Sequence, residues 1–313
     1  MSSDQPIILC PGQGAQAIGM GKAWFDASPD AARTFGAADE QLGDRFGAPL
    51  SQICFEGPAE RLNRTDVAQP ALFVCAVASF QALFNDTEPG DLAATAGLSL
   101  GEYTALHLAG AISFADALEL VALRGRAMQD AAEASRGSMV ALVGATEDQA
   151  KELCDRARER GVLVPANLNA PGQVVVSGDA DACARAVTVA AEMSLRAAPL
   201  EVAGAFHSPL MAPAAERLAE ALEKTSIDPP RCLVMSNVTG QPHVSEGDEV
   251  AALIRQRLVE QLTHPVRWSD DCQWLAANAE GAWHELAPGK VLSGLMRRIN
   301  RETKVTSHDA PES

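Results

Sequence analysis

The feature that most constrains this chain is the pentapeptide Gly97-Leu98-Ser99-Leu100-Gly101, set between two stretches of opposite character. Residues 91–97 (DLAATAG) read as a small-residue strand, and residues 102–109 read as a helix. The five residues between them therefore form a strand–turn–helix corner of the G-x-S-x-G kind. Glycine at both ends leaves room for a strained turn that pushes a serine hydroxyl out of the backbone. The new helix offers unpaired N–H groups to a developing oxyanion. Ser99 is thus a candidate nucleophile, and the corner places the chain among α/β proteins.

The remaining pattern agrees. An apolar strand at 7–10 runs into Pro11-Gly12-Gln13-Gly14, the segment 70–84 reads as a buried helix, and a further helix covers 114–132. Between 138 and 202 the character changes. Strands at 139–143, 162–168, 174–177 and 196–202 alternate with helices at 147–158 and 180–193, giving β-α-β-β-α-β, the split βαβ or ferredoxin-like arrangement. Afterwards the larger pattern resumes with helix 208–224, strand 232–236, helices 249–262 and 269–277, strand 283–286 and helix 290–299. The expected organisation is a small subdomain, 136–203, inserted in a large α/β subdomain made of 1–135 and 204–313. The tail from 305 has no pattern and is expected to fray.

Composition narrows the partners. With 25 Lys and Arg against 41 Asp and Glu among 313 residues, the net charge is −16, which repels nucleic acid phosphate and anionic membrane alike. An anionic partner then needs a local basic patch. Lys290, Arg297, Arg298, Arg301 and Lys304 cluster on or after the last helix, as a cationic face for such a partner or, equally, as solvated helix-end charges. No cationic leader precedes the short apolar run 6–10, so a soluble intracellular protein is expected. Seven cysteines, an odd number with no C-x-x-C pair, read as buried free thiols and suggest no metal site.

A serine hydroxyl needs a base, and six histidines are available: His107, His207, His243, His264, His284 and His308. His207 is best placed, because Ser208 as N-cap and Pro209 after it predict a helix starting just beyond. A helix N-terminus disfavours the imidazolium and would keep this histidine able to accept a proton. His107 reads as packed or solvated, His243 and His264 lie near loops, and His308 is in the tail. Residues 12–17 fit G-x-G-x-x-A, but a dinucleotide site needs a second strand ending in an acidic residue some twenty positions on. Residues 30–46 are polar and helix-like instead, so these glycines better serve an oxyanion through their N–H groups. Arg124, by pattern alone, is a surface residue.

Taken together, Pro11-Gly12-Gln13-Gly14, GLSLGEY (97–103), LRGRAMQ (123–129), ANLNAPGQVVVSG (166–178), GAFHSPLM (204–211), Ser236–Val238, QLTHPVRW (261–268) and APGKVL (287–292) resemble one family. It is that of the malonyl-CoA:acyl carrier protein transacylases of fatty acid synthesis, related to polyketide synthase acyltransferase domains. The resemblance implies a large α/β-hydrolase-like subdomain with a ferredoxin-like insertion. It implies Ser99 as nucleophile, His207 as general base and Arg124 as the group holding the malonyl carboxylate, a task suited to a planar charged fork. Gln13 and Leu100 match the oxyanion-hole residues, through main-chain N–H. Gln261 matches the position whose main-chain carbonyl orients the histidine, where hydrolases use a carboxylate. Phe206 resembles the malonyl-selecting form of its motif, and Leu98 stands where many relatives have histidine. Also implied are transfer without a metal or other cofactor, malonyl-CoA and acyl carrier protein as partners, a monomer and a cytoplasmic location. A trans-acting polyketide synthase acyltransferase, a serine thioesterase or other hydrolase, and a non-catalytic carrier-binding module are the alternatives.

Overall fold

The computed structural model describes residues 5–244 and 249–311, and two separate β-sheets with helices packed around them make up the fold. The strands are β1 (Ile7–Cys10), β2 (Ala94–Gly97), β3 (Gly137–Val143), β4 (Leu163–Ala170), β5 (Gln173–Asp179), β6 (Arg196–Pro199), β7 (Leu233–Ser236), β8 (Gln241–Pro242), β9 (Trp283–Glu285) and β10 (Val305–Ser307). One sheet has the order β10-β9-β1-β2-β7-β8, parallel except at β8.

β1 is buried throughout, as a central strand covered on both faces must be. Ile8 and Cys10 join the larger core, with helices Thr65–Leu83 and Phe114–Ala134. Ile7 and Leu9 face the other way, against Trp268, Leu275, Leu292 and Met296 of helices Trp268–Asn278 and Val291–Ile299. Cys10 sits opposite Gly97, so β1 and β2 end side by side and the loops leaving them meet. That edge, beyond the carboxyl ends of parallel strands, is where open α/β sheets place ligands.

The second sheet has the order β4-β5-β3-β6, antiparallel throughout. Helices Glu147–Ala157 and Ala180–Glu192 pack on it around Leu142, Leu153, Leu163, Val176 and Ala186. The first of these helices is fixed at its start by a capping box between Thr146 and Gln149. The β-α-β-β-α-β order is therefore present, with ends displaced by a few residues. Main-chain bonds from Leu168 to Val266 and from Val266 to Ala166 tie this sheet to the rest of the molecule.

Four expectations need correction. Over the described residues 305–311 the tail does not fray, residues 312–313 lying outside the described ones: β10 pairs with β9, Ser307 Oγ donates to Glu285 Oε2 at 2.8 Å, and Trp24 Nε1 donates to the His308 carbonyl at 3.2 Å. Three residues are too few to show periodicity. The buried helix starts at Thr65, not at 70, because Pro70 lies inside it, losing one ladder bond in a helix held by burial on all sides. The strand at 91–97 shortens to β2, as Pro89–Asp91 forms a single 3₁₀ turn. The strand at 196–202 stops at Pro199. Thr65–Leu83 is also long and apolar enough to cross a membrane, yet it is the core helix here.

Candidate active site

The turn after β2 holds Ser99 at φ 53°, a left-handed backbone that a non-glycine residue adopts only under constraint. A Cβ on Gly97 would lie 1.9 Å from the Gly101 carbonyl carbon, and one on Gly101 would lie 2.2 Å from the Cys10 carbonyl oxygen. Both glycines are demanded by close approach. His207 is likewise left-handed, at φ 55°.

Ser99 Oγ lies 2.9 Å from His207 Nε2, and His207 Nδ1 lies 2.7 Å from the Gln261 main-chain oxygen. A carbonyl can only accept, so Nδ1 bears the proton and Nε2 keeps the lone pair that faces the serine. Burial, and then the charge of Arg124, push the His207 pKa down to about 4 against the raising pull of the Gln261 carbonyl. The expected cause was a helix start. Instead Ser208 caps a 3₁₀ turn, Pro209–Met211, and the regular helix begins only at Ala212.

Arg124 corrects the surface reading outright, being only 1% exposed. It lies on helix Phe114–Ala134, over the Tyr103 ring at 5.4 Å. Its Nη1 donates to Gln69 Oε1 at 2.7 Å, and its Nη2 donates to Ser99 Oγ at 3.0 Å and to Gln261 Oε1 at 2.9 Å. Burial lowers its pKa, but a guanidinium stays charged in a protein. Among the described residues no carboxylate lies within ion-pair distance of it, and its Nε has no partner. A buried cation that neutral groups hold beside a serine hydroxyl is poised to receive an anion.

The Ser99 main-chain N–H is spent on Asn237 Oδ1 at 2.7 Å. Among the described contacts, those of Gln13 and Leu100 have no acceptor within the chain. Gln13, Leu98, Ser99, Arg124, Phe206 and His207 line a cleft of about 420 Å³, whose opposite wall comes from the second sheet through Met139, Asn167, Asn169 and Val175. A larger cavity of about 1040 Å³ lies at the other end of the parallel sheet, around Leu92, Pro229 and Leu233. Convergent polar groups, not volume, single out the smaller one. Among the described residues no group of His, Cys, Asp and Glu is arranged to hold a metal ion.

The other histidines lie elsewhere. His107 packs against Phe73 and Phe114, His264 is exposed, and His284 stacks on His308. His243, read as a loop residue, is buried and bonded to Glu102. Sequence reasoning missed the polar residues beneath Ser99: Glu102, Asn237, His243 and Asp271, all buried. The signal available for Glu102 was a lone acid in an otherwise apolar, short helix. All seven cysteines are free thiols, six of them buried. Lys290, Arg297, Arg298, Arg301 and Lys304 are exposed, and among the described residues none is in an ion pair.

Residues 7–309 match the acyl transferase domain model. A malonyl CoA-acyl carrier protein transacylase of Bacillus subtilis is 43% identical over 308 residues, covering 98% of this chain and 94% of that one. A crystal structure of a malonyl-CoA:acyl carrier protein transacylase from Xanthomonas oryzae superposes with a TM-score of 0.91 at 40% identity, covering 99% and 96% of the two chains. Another solved structure, a type II polyketide synthase acyl carrier protein in complex with its malonyl-transacylase, superposes with a TM-score of 0.91 at 34% identity, covering 98% and 97% of the two chains.

Proposed function

Because this chain belongs to the acyl transferase family, we propose that it moves the malonyl group from malonyl-CoA to the phosphopantetheine thiol of acyl carrier protein, for fatty acid synthesis. The observation that carries this reading is the buried, carboxylate-free guanidinium of Arg124, bonded to the hydroxyl of Ser99. An acyl group with its own carboxylate supplies the missing anion and delivers its thioester carbon to the hydroxyl.

The reaction is a two-step exchange. The Ser99 hydroxyl gives its proton to His207 Nε2 as Oγ attacks the thioester carbonyl. The tetrahedral oxyanion is held by the main-chain N–H groups of Gln13 and Leu100. Collapse breaks the C–S bond, the imidazolium protonates the departing CoA sulfur, and a malonyl ester remains on Ser99. The carrier thiol then enters, loses its proton to His207 and attacks the ester. Ser99 recovers the proton as malonyl leaves on the new sulfur. The two steps together return the chain to its starting state, and neither calls for a metal or redox group. Phe206, at the cleft wall, narrows the space beside the malonyl α-carbon.

We read residues 136–203 as a ferredoxin-like subdomain inserted in a large α/β-hydrolase-like subdomain of residues 1–135 and 204–313, with the cleft between them. The strand order β4-β5-β3-β6 with two helices on one face supports this. The exposed cations at the end of helix Val291–Ile299, whose Val291 and Leu295 line the cleft, suit an acidic carrier protein. A cytoplasmic monomer completes the proposal.

Intact mass after mixing with malonyl-CoA tests it. A malonyl adduct that disappears in Ser99→Ala and discharges onto carrier protein is expected. Free malonate in place of malonyl carrier protein would make the chain a hydrolase.

A further inference from the structure

Beneath Ser99 lies a polar cluster that does not line the cleft and that the two-step exchange leaves unused. Glu102, in the first turn of helix Gly101–Leu108, is fully buried. Its Oε2 accepts from Gln261 Nε2 at 2.7 Å and from the Asn237 main-chain N–H at 3.1 Å, and its Oε1 pairs with His243 Nε2 at 2.7 Å. Three donors and a helix N-terminus suit a carboxylate there.

What matters is the use Gln261 makes of its other atoms. Its Oε1 accepts from Arg124, its Nε2 also donates to the Ser99 carbonyl at 3.0 Å, and its main-chain oxygen holds His207 Nδ1. One residue therefore touches the backbone of the serine, the imidazole and the guanidinium. An amide can turn end for end; the Arg124 donor at Oε1 and the acceptors at Nε2, of which Glu102 at 2.7 Å is nearer than the Ser99 carbonyl or Asn237 Oδ1, together fix the oxygen toward Arg124. Among the described residues the carboxylate at that nitrogen is Glu102.

We propose that Glu102 is a positioning residue for acyl transfer: it locks the Gln261 side chain, and through it the His207 imidazole and the Arg124 guanidinium, in register with Ser99. The inference rests on the reading of Ser99 and His207 given above. Hydrolases place a carboxylate directly on their histidine; here the carboxylate acts one residue removed. It follows that the side chain of Gln261 counts, and not its main-chain carbonyl alone.

Glu102→Gln, Gln261→Asn and the double variant test this, with kcat expressed per acyl-charged Ser99. Glu102→Gln leaves one oxygen where two served, and Gln261→Asn keeps the carbonyl but withdraws the amide by one methylene. Each single variant is expected to lose about tenfold in kcat for both malonyl and acetyl donors, with the larger loss for malonyl. The double variant should be no slower than the slower single one, since both remove the same link. A wild-type kcat in either single variant, or losses that multiply, overturns the proposal. A merely structural role would lower Tm and leave kcat per charged site unchanged. Gln261→Asn decides alone should Glu102→Gln fail to fold. If wild-type protein forms no adduct on Ser99, the parent reading falls; if it does and the variants keep their rate, only the role of Glu102 falls.

Discussion

The floor of the cleft and its rim both carry arginines, and the two places use charge in opposite ways. Arg124 in the floor is sealed from water, gripped by Gln69, Ser99 and Gln261, and stacked on Tyr103. Arg297 and Arg298 at the rim are exposed on the last turn of helix Val291–Ile299. A buried charge in fixed geometry acts on the reacting atoms, because low dielectric strengthens each contact and nothing reorganises. An exposed charge acts on encounter, and salt screens it.

The contrast predicts the size of effects. His207→Ala removes the imidazole bonded to Ser99 and should cost about 10⁴-fold in acylation, read as the rate of malonyl adduct formation. A loss below tenfold would show that the floor does not act through this histidine. Arg124→Ala should lower malonyl transfer about 10²–10³-fold, the worth of two charge-assisted hydrogen bonds in a dry site. Acetyl transfer, which offers no carboxylate, should fall much less. Equal losses for the two donors would reduce Arg124 to a packing element and erase the distinction between floor and rim.

A subtler consequence concerns pH. His207 has its pKa pushed down to about 4, by burial first and then by Arg124, so the free enzyme holds a neutral base through the whole neutral range. The acid limb of kcat/KM should therefore lie near pH 4, with a plateau from about pH 5 upward, and not near the 6.5 of an ordinary histidine. The sign for stability is the opposite of a salt-bridged histidine. Between about pH 6.5 and 4 the unfolded chain binds the proton that the folded chain refuses, so stability falls as pH falls through that window. Urea midpoints measured at pH 7 and 4.5 should show this fall diminished in His207→Gln.

The floor and the rim also differ in how far the sequence announces them. Ser99 is legible because its turn needs glycine on both sides, a steric demand that leaves a local mark. His207 is legible through Ser208 and Pro209, although the helix they signal begins one 3₁₀ turn late. Arg124 and Asn237 leave no such mark, and Glu102 only the weak one of an acid in a short, mostly apolar helix. Each is polar in a place that local pattern assigns to water or a turn, and only partners at sequence separations of 55, 135 and 138 explain its burial. Arg124 had to be supplied by likeness to a family, and the roles of the other two are visible only in three dimensions. The second sheet was readable because β3, β4 and β5 each run for seven or eight residues, whereas β10, three residues long and stabilised by its pairing with β9, was not.

The smallest effect is expected at the rim, and its form matters more than its size. Reversing both Arg297 and Arg298 to glutamate should raise the apparent KM for acyl carrier protein several-fold at low salt, leaving malonyl adduct formation on Ser99 unchanged, because neither side chain lines the cleft. Raising the ionic strength should shrink the difference from wild type, since the Debye length falls from about 10 Å at 0.1 M to about 3 Å at 1 M. Exposed cations that steer an acidic partner must lose that advantage in salt, while Arg124, sealed under the cleft, must not. A KM for carrier protein that stays the same after the double reversal would leave the rim cations as solvated helix-end charges and move the docking face elsewhere on the molecule.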